Sequence, residues 1–514
     1  MIKLFLAIIS GILTGLSFDT PVLSFFVWFS LVPLLYILKK SRIKEGLRQS
    51  FVFGFSYFLV AFFWVGNVTV LGLVVFLLYL SFYPILFFII GRYFLNKPRA
   101  LITIPALWVL LELTKENIWC GFSWANLGYS QYKNFYLIQI ADLFGVKFLS
   151  FIIVMVNVFI YEIFATRNFA LPKAQLKNYY PKFFAATKIE LISKVIKRIT
   201  YFMGSYAERK WLAKKAIFIF LVILSCFLYS FHRLHNLKET DSIALSLVQP
   251  NISQETKQNI ELRPLIIEKL KFLSKQANEK SLVIYPEAAW PEIRNEDAFE
   301  ELKHFAADSS KDILIGAVKL EGDRFYNTAL LLAKESSTVD IYRKIKIVPF
   351  GEYVPLREYL SFIPVLNCIG DMTRGREYKI FSYKDKKFSV LICFEDIFPL
   401  FVSRFAKASD FLINITDDSW FRGEPEASQH LAIMTFRAIE NRISIARCAN
   451  TGISGWVSFK GEINTLRNNG KQVFFEDTIN FNLPLNLKRS LYNNWQEIFP
   501  LFCGLILFVC LMRK

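Results

Sequence analysis

Eight apolar runs, at about 4–18, 22–38, 51–68, 70–91, 100–113, 144–166, 216–231 and 496–512, constrain this 514-residue chain more than any other feature. Several approach the ~20 residues that a helix needs to cross the hydrocarbon layer. No water reaches that layer, so such a run must satisfy its backbone polar groups internally, as helix. Composition agrees: 54% of residues are hydrophobic and only 20% are charged. A soluble protein so composed would expose large apolar patches. The expectation is a bundle of about eight transmembrane helices. The first run reads as a retained span, because Asp19-Thr20-Pro21 turns straight into the second and no small-residue cleavage site follows it.

The net charge of +18 invites a nucleic-acid reading, but its distribution argues against one. The excess sits in loops beside the apolar runs. Lys39, Lys40, Arg42, Lys44 and Arg48 follow the second run; Arg92, Lys97 and Arg99 follow the fourth. The stretch 167–215, from Lys173 to Lys215, follows the sixth, and Arg513 and Lys514 follow the eighth. Basic loops mark the cytoplasmic side. Both ends of the chain are then expected in the cytoplasm, and the large polar region after the seventh span outside. The 167–215 stretch is either a solvated cytoplasmic loop or an amphipathic segment lying on anionic lipid.

That organisation divides the chain into a membrane domain at 1–235, an extracytoplasmic domain at 236–491 and a last span at 492–514. The middle part has a soluble α/β texture. Strands are predicted at 243–249, 281–285, 313–319, 326–332, 388–392, 410–415, 443–449 and 453–459. Helices are predicted at about 255–277, 295–308, 400–408 and 426–441. Such a mixture suggests stacked sheets with helices outside.

Four of the seven cysteines, Cys120, Cys226, Cys503 and Cys510, lie in or beside apolar runs, where a free cysteine acts as a small hydrophobe. Cys368, Cys393 and Cys448 remain, so at least one of them has no partner in that domain, and whether Cys368 pairs with Cys448 is left open. Of the histidines His232, His235, His304 and His430, none has a ligand set around it in sequence, so no metal is expected.

Three polar positions stand out. Cys393 ends the apolar strand Val390-Leu-Ile and precedes Phe394-Glu395-Asp396. It is either a structural thiol or a nucleophile exposed at a sharp strand end. Glu287 ends another apolar strand, in Ile284-Tyr-Pro-Glu-Ala-Ala-Trp290. It is either a capping acid or a desolvated general base. In Tyr342-Arg-Lys344-Ile-Lys346-Ile-Val-Pro-Phe-Gly-Glu352, the lysines either belong to a solvated basic strand edge or offer one that stabilises a thiolate and an oxyanion, with Glu352 to orient it. Composition alone does not choose between Lys344 and Lys346.

Taken together, the strand-end glutamate, the lysine before Val-Pro-Phe-Gly-Glu and the Cys-x-Glu strand end resemble the carbon-nitrogen hydrolase (nitrilase) superfamily. The block Lys344-x-x-Ile-Val-Pro-Phe-Gly-Glu-Tyr-Val-Pro355, between hydrophobic spans, resembles the apolipoprotein N-acyltransferase family. Further matches are Leu247-Val-Gln-Pro-Asn-Ile252, Trp420-Phe421, Arg437-Ala-Ile-Glu440, Asn450-Thr-Gly452 and, in the membrane half, the aromatic loop 121–131. The resemblance implies Cys393 as nucleophile, Glu287 as proton acceptor and Lys344 as stabiliser, with Glu352, Glu395, Trp290 and Trp420 in support. Phe394, Gln258 and Asp417 depart from the family's usual tyrosine, tryptophan and asparagine.

The fold so implied is α/β, a nitrilase-like α-β-β-α sandwich mounted on the membrane helices. The implied activity moves a fatty acyl chain from a membrane phospholipid, through a cysteine thioester, to the N-terminal cysteine of diacylated lipoproteins. No cofactor is implied. The implied setting is the bacterial inner membrane, as a monomer with its catalytic domain on the periplasmic side. Two other readings are a membrane-tethered amidase or nitrilase-type hydrolase, and an inactive scaffold or transporter. Transport is disfavoured by the scarcity of charges within the apolar runs.

Overall fold

The computed structural model describes residues 1–20, 22–118, 121–165, 206–334, 338–360, 370–421 and 423–513. Most of the basic stretch 167–215 lies outside them, as do Cys120 and Cys368.

Helix occupies all eight apolar runs, but among the described residues five segments are long and apolar enough to cross a membrane: Leu23–Lys40, Ile43–Asn67, Val70–Leu95, Val146–Ala165 and Lys210–Asn236. The expected eight are therefore not all of one kind. Ile2–Leu16 and Ile498–Met512 have 15 residues each, about 22 Å of helix against a core of ~30 Å. Ala100–Asn117 is long enough but carries Glu112, Lys115 and Glu116 near its end. The second run is itself broken, a 3-10 turn at Leu23–Trp28 preceding a helix at Val32–Lys40. Ile2–Leu16 lies tightly on Ile43–Phe62 because its contact face is small. A methyl on Gly11 would sit 2.5 Å from the Phe53 carbonyl, and one on Gly15 2.6 Å from Val60. Small residues four apart let two backbones close in where lipid supplies no hydrophobic drive.

The polar region folds as two stacked sheets. Its strands are β1 (Asp241–Gln249), β2 (Leu282–Ile284), β3 (Trp290–Ile293), β4 (Asp312–Glu321), β5 (Arg324–Leu332), β6 (Val339–Arg343), β7 (Phe381–Tyr383), β8 (Lys386–Ile392), β9 (Phe411–Thr416), β10 (Ser444–Ala449), β11 (Gly455–Val457), β12 (Ile463–Thr465) and β13 (Asp477–Leu485). One sheet runs β13-β1-β2-β4-β5-β6, with β3 beside β4; the other runs β12-β11-β10-β9-β8-β7. Strand alternation sorts the core. Leu245, Leu247, Leu282, Ile284, Leu314 and Leu331 join the core shared with the second sheet. Val248, Val283, Ile313, Ile315 and Leu330 face an outer core under the helices Arg263–Ser274 and Glu296–Ser309. Helices Pro399–Ala408 and Glu424–Asn441 cover the second sheet. Nearly all of Glu424–Asn441 is buried, because it packs on the catalytic sheet and on the membrane half.

The helix expected at 255–277 is in three pieces. Gln254–Gln258 is capped by Ser253, a 3-10 turn at Ile260–Leu262 is capped by Asn259, and Arg263–Ser274 begins with Pro264 near its start. Two side-chain caps and a proline restart the backbone where periodicity alone reads one helix. Strands β3, β6, β7, β12 and β13 have no counterpart in the sequence reading. β13 pairs antiparallel with β1 along its whole length.

Candidate active site

Strand ends of both sheets converge on Glu287, Lys344 and Cys393. Glu287 follows β2, and its backbone passes close over Gly316 of β4, where a methyl would lie 2.5 Å from the Pro286 carbonyl. Its Oε1 accepts from Lys344 Nζ at 2.9 Å and from Asn327 Nδ2 at 2.7 Å; Oε2 accepts from the Asp417 amide at 3.0 Å. Both oxygens are thus oriented, in a residue only 6% exposed. Lys344, one residue past β6, also donates to Glu352 Oε1 at 3.0 Å. Burial draws down the pKa of this ammonium, but Glu287 and Glu352 more than reverse that and hold it well above its ordinary range.

Cys393 follows β8 with φ +51°, a left-handed conformation that costs a non-glycine residue of order 1–3 kcal/mol. The turn leaves the thiol half-buried while Val390, Leu391 and Ile392 stay in the core. Asn414 Nδ2 holds the Cys393 carbonyl at 3.2 Å. Burial and then the Glu287 carboxylate push the thiol well above its usual range, with Lys344 and a hydrogen bond to Thr416 acting the other way. A thiol whose ionisation is opposed, beside a carboxylate held by a fixed ammonium, is an arrangement in which an acid group can take the proton as sulfur attacks.

The two candidate lysines separate clearly. Lys344 is buried among the acids, whereas Lys346 is exposed with its Nζ 5.0 Å from the Phe398 ring. Glu352 is held by the Val348 amide at 2.7 Å, so the Pro-Phe-Gly turn folds it back onto the lysine. Glu395 accepts from the Ile345 and Lys346 amides, the Ile392 amide and the Tyr342 hydroxyl, at 2.7 to 3.0 Å. It therefore ties the turn at Cys393 to the segment carrying Lys344. Burial pushes its carboxyl up to about 7. Trp290 lies elsewhere: it is buried at the start of β3 in the outer core, its ring on Phe305. Trp420 is 49% exposed, in the short turn Asp418–Trp420.

Several residues around the site carry no motif signal. Asn327 of β5 bridges Glu287 and Glu352; an asparagine within a strand gives no hint of this until β5 is laid beside β4. Behind the cysteine, Arg447 of β10 donates to Asn414, Asp418 and His430, and His430 reaches Asp396 at 2.6 Å. Asp418, Glu426 and His430 are residue types that bind metals, and they cluster within 4.8 Å. The Arg447 guanidinium, 3.0 Å from both Asp418 and His430, occupies the cationic position in that cluster. Cys448 is a free thiol pointing at the Val248 and Ile284 carbonyls.

An aromatic wall joins the site to the membrane helices. Phe394, next to the cysteine, stacks on Phe122 with ring centroids 6.4 Å apart. Phe122 meets Phe76 at 4.9 Å and Phe62 at 5.4 Å, and Trp64 meets Phe421 at 4.8 Å. Phe394 thus contributes a ring to an apolar surface, where a tyrosine would add a hydroxyl.

Residues 10–159 match the apolipoprotein N-acyltransferase N-terminal domain, and residues 245–476 match the carbon-nitrogen hydrolase family. Over 523 aligned residues the chain is 30% identical to the apolipoprotein N-acyltransferase of Geobacter metallireducens, covering 97% of this chain and 92% of that one. The chain belongs to the apolipoprotein N-acyltransferase family. The enzyme of that name from Aquifex aeolicus is 28% identical, over 89% of this chain and 94% of its own. Among solved structures, an amidase from Nesterenkonia sp. superposes with a TM-score of 0.37 and 18% identity, over 48% of this chain and 93% of that one. The protein is accordingly an acyltransferase with a carbon-nitrogen hydrolase domain, and lipid and lipoprotein are the substrates its family implies.

Proposed function

We propose that the chain transfers a fatty acyl group in two steps, through a thioester on Cys393, from a membrane phospholipid to the N-terminal amine of a diacylated lipoprotein. In the first step Glu287 takes the thiol proton as sulfur attacks the ester carbonyl. The C–O bond then breaks, the alkoxide takes that proton from Glu287, and lysophospholipid departs. In the second, the cysteine amine of the lipoprotein attacks the thioester carbonyl and gives its proton to Glu287. The C–S bond breaks, an amide forms, and the released thiolate takes the proton back. Lys344 supplies positive charge to both tetrahedral oxyanions. Domains at 1–235, 236–491 and 492–514, eight segments in the membrane, a periplasmic catalytic domain and a monomeric state complete the reading.

The observation that carries it is the continuity of the Glu287–Lys344–Cys393 constellation with the aromatic wall from Phe394 to Phe62. An acyl chain can lie along that wall while its ester meets the thiol. The same apolar surround protects a thioester from water. With phospholipid and no acceptor, purified protein should gain the mass of a long acyl chain on Cys393 and keep it. A diacylated peptide with a free N-terminal cysteine should discharge the adduct into an amide. Steady release of free fatty acid without acceptor would point to the hydrolase instead. An adduct on Cys393→Ala would place the nucleophile elsewhere.

A further inference from the structure

Glu287 has a second charged neighbourhood, on the side away from Lys344. The Asp417 amide donates to Glu287 Oε2 at 3.0 Å, and the Asp417 carboxylate is three covalent bonds from that amide. This carboxylate is only 6% exposed, yet it is fully engaged. Lys257 Nζ lies 2.6 Å away, Gln254 Nε2 2.8 Å, Asn450 Nδ2 2.9 Å and the Ser419 hydroxyl 2.7 Å. Burial would raise its pKa, but Lys257 and these donors hold it below the ordinary carboxylate range. The residue whose amide holds Glu287 Oε2 therefore also carries an anion. The other titratable groups facing Glu287 are Lys344 and Glu352 on one side and the Cys393 thiol on another, and Asp418 acts on that thiol.

A nearby like charge disfavours the ionised form of a carboxylate, and an opposite charge restores it. We infer that Lys257 is a positioning residue of the site: it neutralises Asp417, whose amide holds Glu287 Oε2, and so sets the charge that the proposed base meets as it accepts a proton. Lys257 lies in the short helix Gln254–Gln258, beside the exposed Gln258 and Ile260. The ion pair therefore also pins this surface segment to the base, an arrangement that no strand pattern discloses.

The inference rests on Glu287 acting as base, and the experiment separates the two. Acyl-adduct formation on the full-length enzyme is followed by protein mass against pH, with a dipalmitoyl phospholipid in detergent micelles. Lys257→Met strands the Asp417 anion, so the acid limb of the profile should move up by about one pH unit. Asp417→Asn strands the cation, so the limb should move down. The double variant should return it toward wild type, and Lys257→Arg should leave it in place. A purely structural ion pair would lower the yield of folded enzyme without moving the limb in opposite directions. A folded Lys257→Met with an unmoved limb overturns the inference. So does a double variant that keeps the displacement. Where Lys257→Met does not fold, a downward move in Asp417→Asn reversed in the double variant supports it, and no move refutes it. Undiminished adduct formation by Glu287→Gln would instead remove the reading of the site itself.

Discussion

Replacing Lys344 with methionine isolates the one cation that holds two acids in the site. Its Nζ lies 2.9 Å from Glu287 Oε1 and 3.0 Å from Glu352 Oε1, at 1% exposure. Without it those oxygens, no more than about 6 Å apart, share only the Asn327 amide. Two unit charges at ~6 Å repel by roughly 3 kcal/mol at an effective dielectric of ~20. Breaking one side of a buried ion pair costs ~3–5 kcal/mol, the same size. Catalysis loses in addition a donor to the oxyanion, an effect of about 10²–10³ in rate. Lys346→Met is the control: it forfeits a contact with the Phe398 ring of ~0.5–1 kcal/mol. Both variants are scored by thermal unfolding in detergent and by the rate of acyl-adduct formation on Cys393. A Lys344→Met enzyme acylated at the wild-type rate refutes the reasoning, as does a Lys346→Met enzyme that falls as far.

Glu395→Gln should abolish a pH dependence as well as loosen the site. With its carboxyl raised to about 7, the protonated form is favoured by folding, so its contribution is full below about pH 4.3 and is lost as pH rises through 7. Chemical denaturation across that window should show a smaller fall for the variant than for wild type; an equal fall refutes the assignment. Cys393 should alkylate faster with rising pH and still be accelerating at pH 9, because burial and Glu287 oppose the thiolate; a plateau below pH 7 would mean a standing thiolate–lysine pair. Protease added to sealed spheroplasts should cut within 240–490 and spare 167–215, and the reverse pattern would overturn the topology.

Much of this was legible because apolar strands ending in a polar residue are strong local signals. Glu287 and Cys393 each close a buried strand, and the observed β2 and β8 fall where Ser281–Tyr285 and Phe388–Ile392 read as strands. What the sequence hid depends on neighbours distant in the chain. Asn327 meets Glu287 only because β4 and β5 pair in a long antiparallel register. The Lys257–Asp417 pair spans 160 positions. Strand β13 is a different case: Ile479, Phe481, Leu483 and Leu485 alternate with Thr478, Asn480, Asn482 and Pro484, a period-2 signal that the sequence does carry, interrupted only by the proline. Trp290, which the family resemblance puts in support of the site, has its ring in the outer core beside Phe305.

The boundary near 235 separates two textures of sequence without separating two independent structures. Helix Glu424–Asn441 belongs to the polar region, yet several of its polar groups find partners in the membrane half. Glu440 accepts from the Val146 amide at 2.9 Å, Arg437 donates to the Tyr129 hydroxyl at 2.7 Å, and Gln429 donates to the Ala61 carbonyl at 3.0 Å. Just past its end, Arg442 pairs with Asp142 at 2.7 Å with both side chains essentially buried. Burying charges is repaid only when each finds its partner, and here the partners come from opposite sides of the interface. Either half alone would leave these groups unsatisfied or exposed. A rigid junction also suits the proposed chemistry. An acyl chain resting among the membrane helices has its ester at a fixed height, and the thiol that attacks it must wait at that height. Misplacement by about 1 Å can cost ~10²-fold in rate. On this argument the buried ion pairs of the junction serve the reaction by fixing the distance between Cys393 and the bilayer, a role that a flexible tether between two separate domains could not fill.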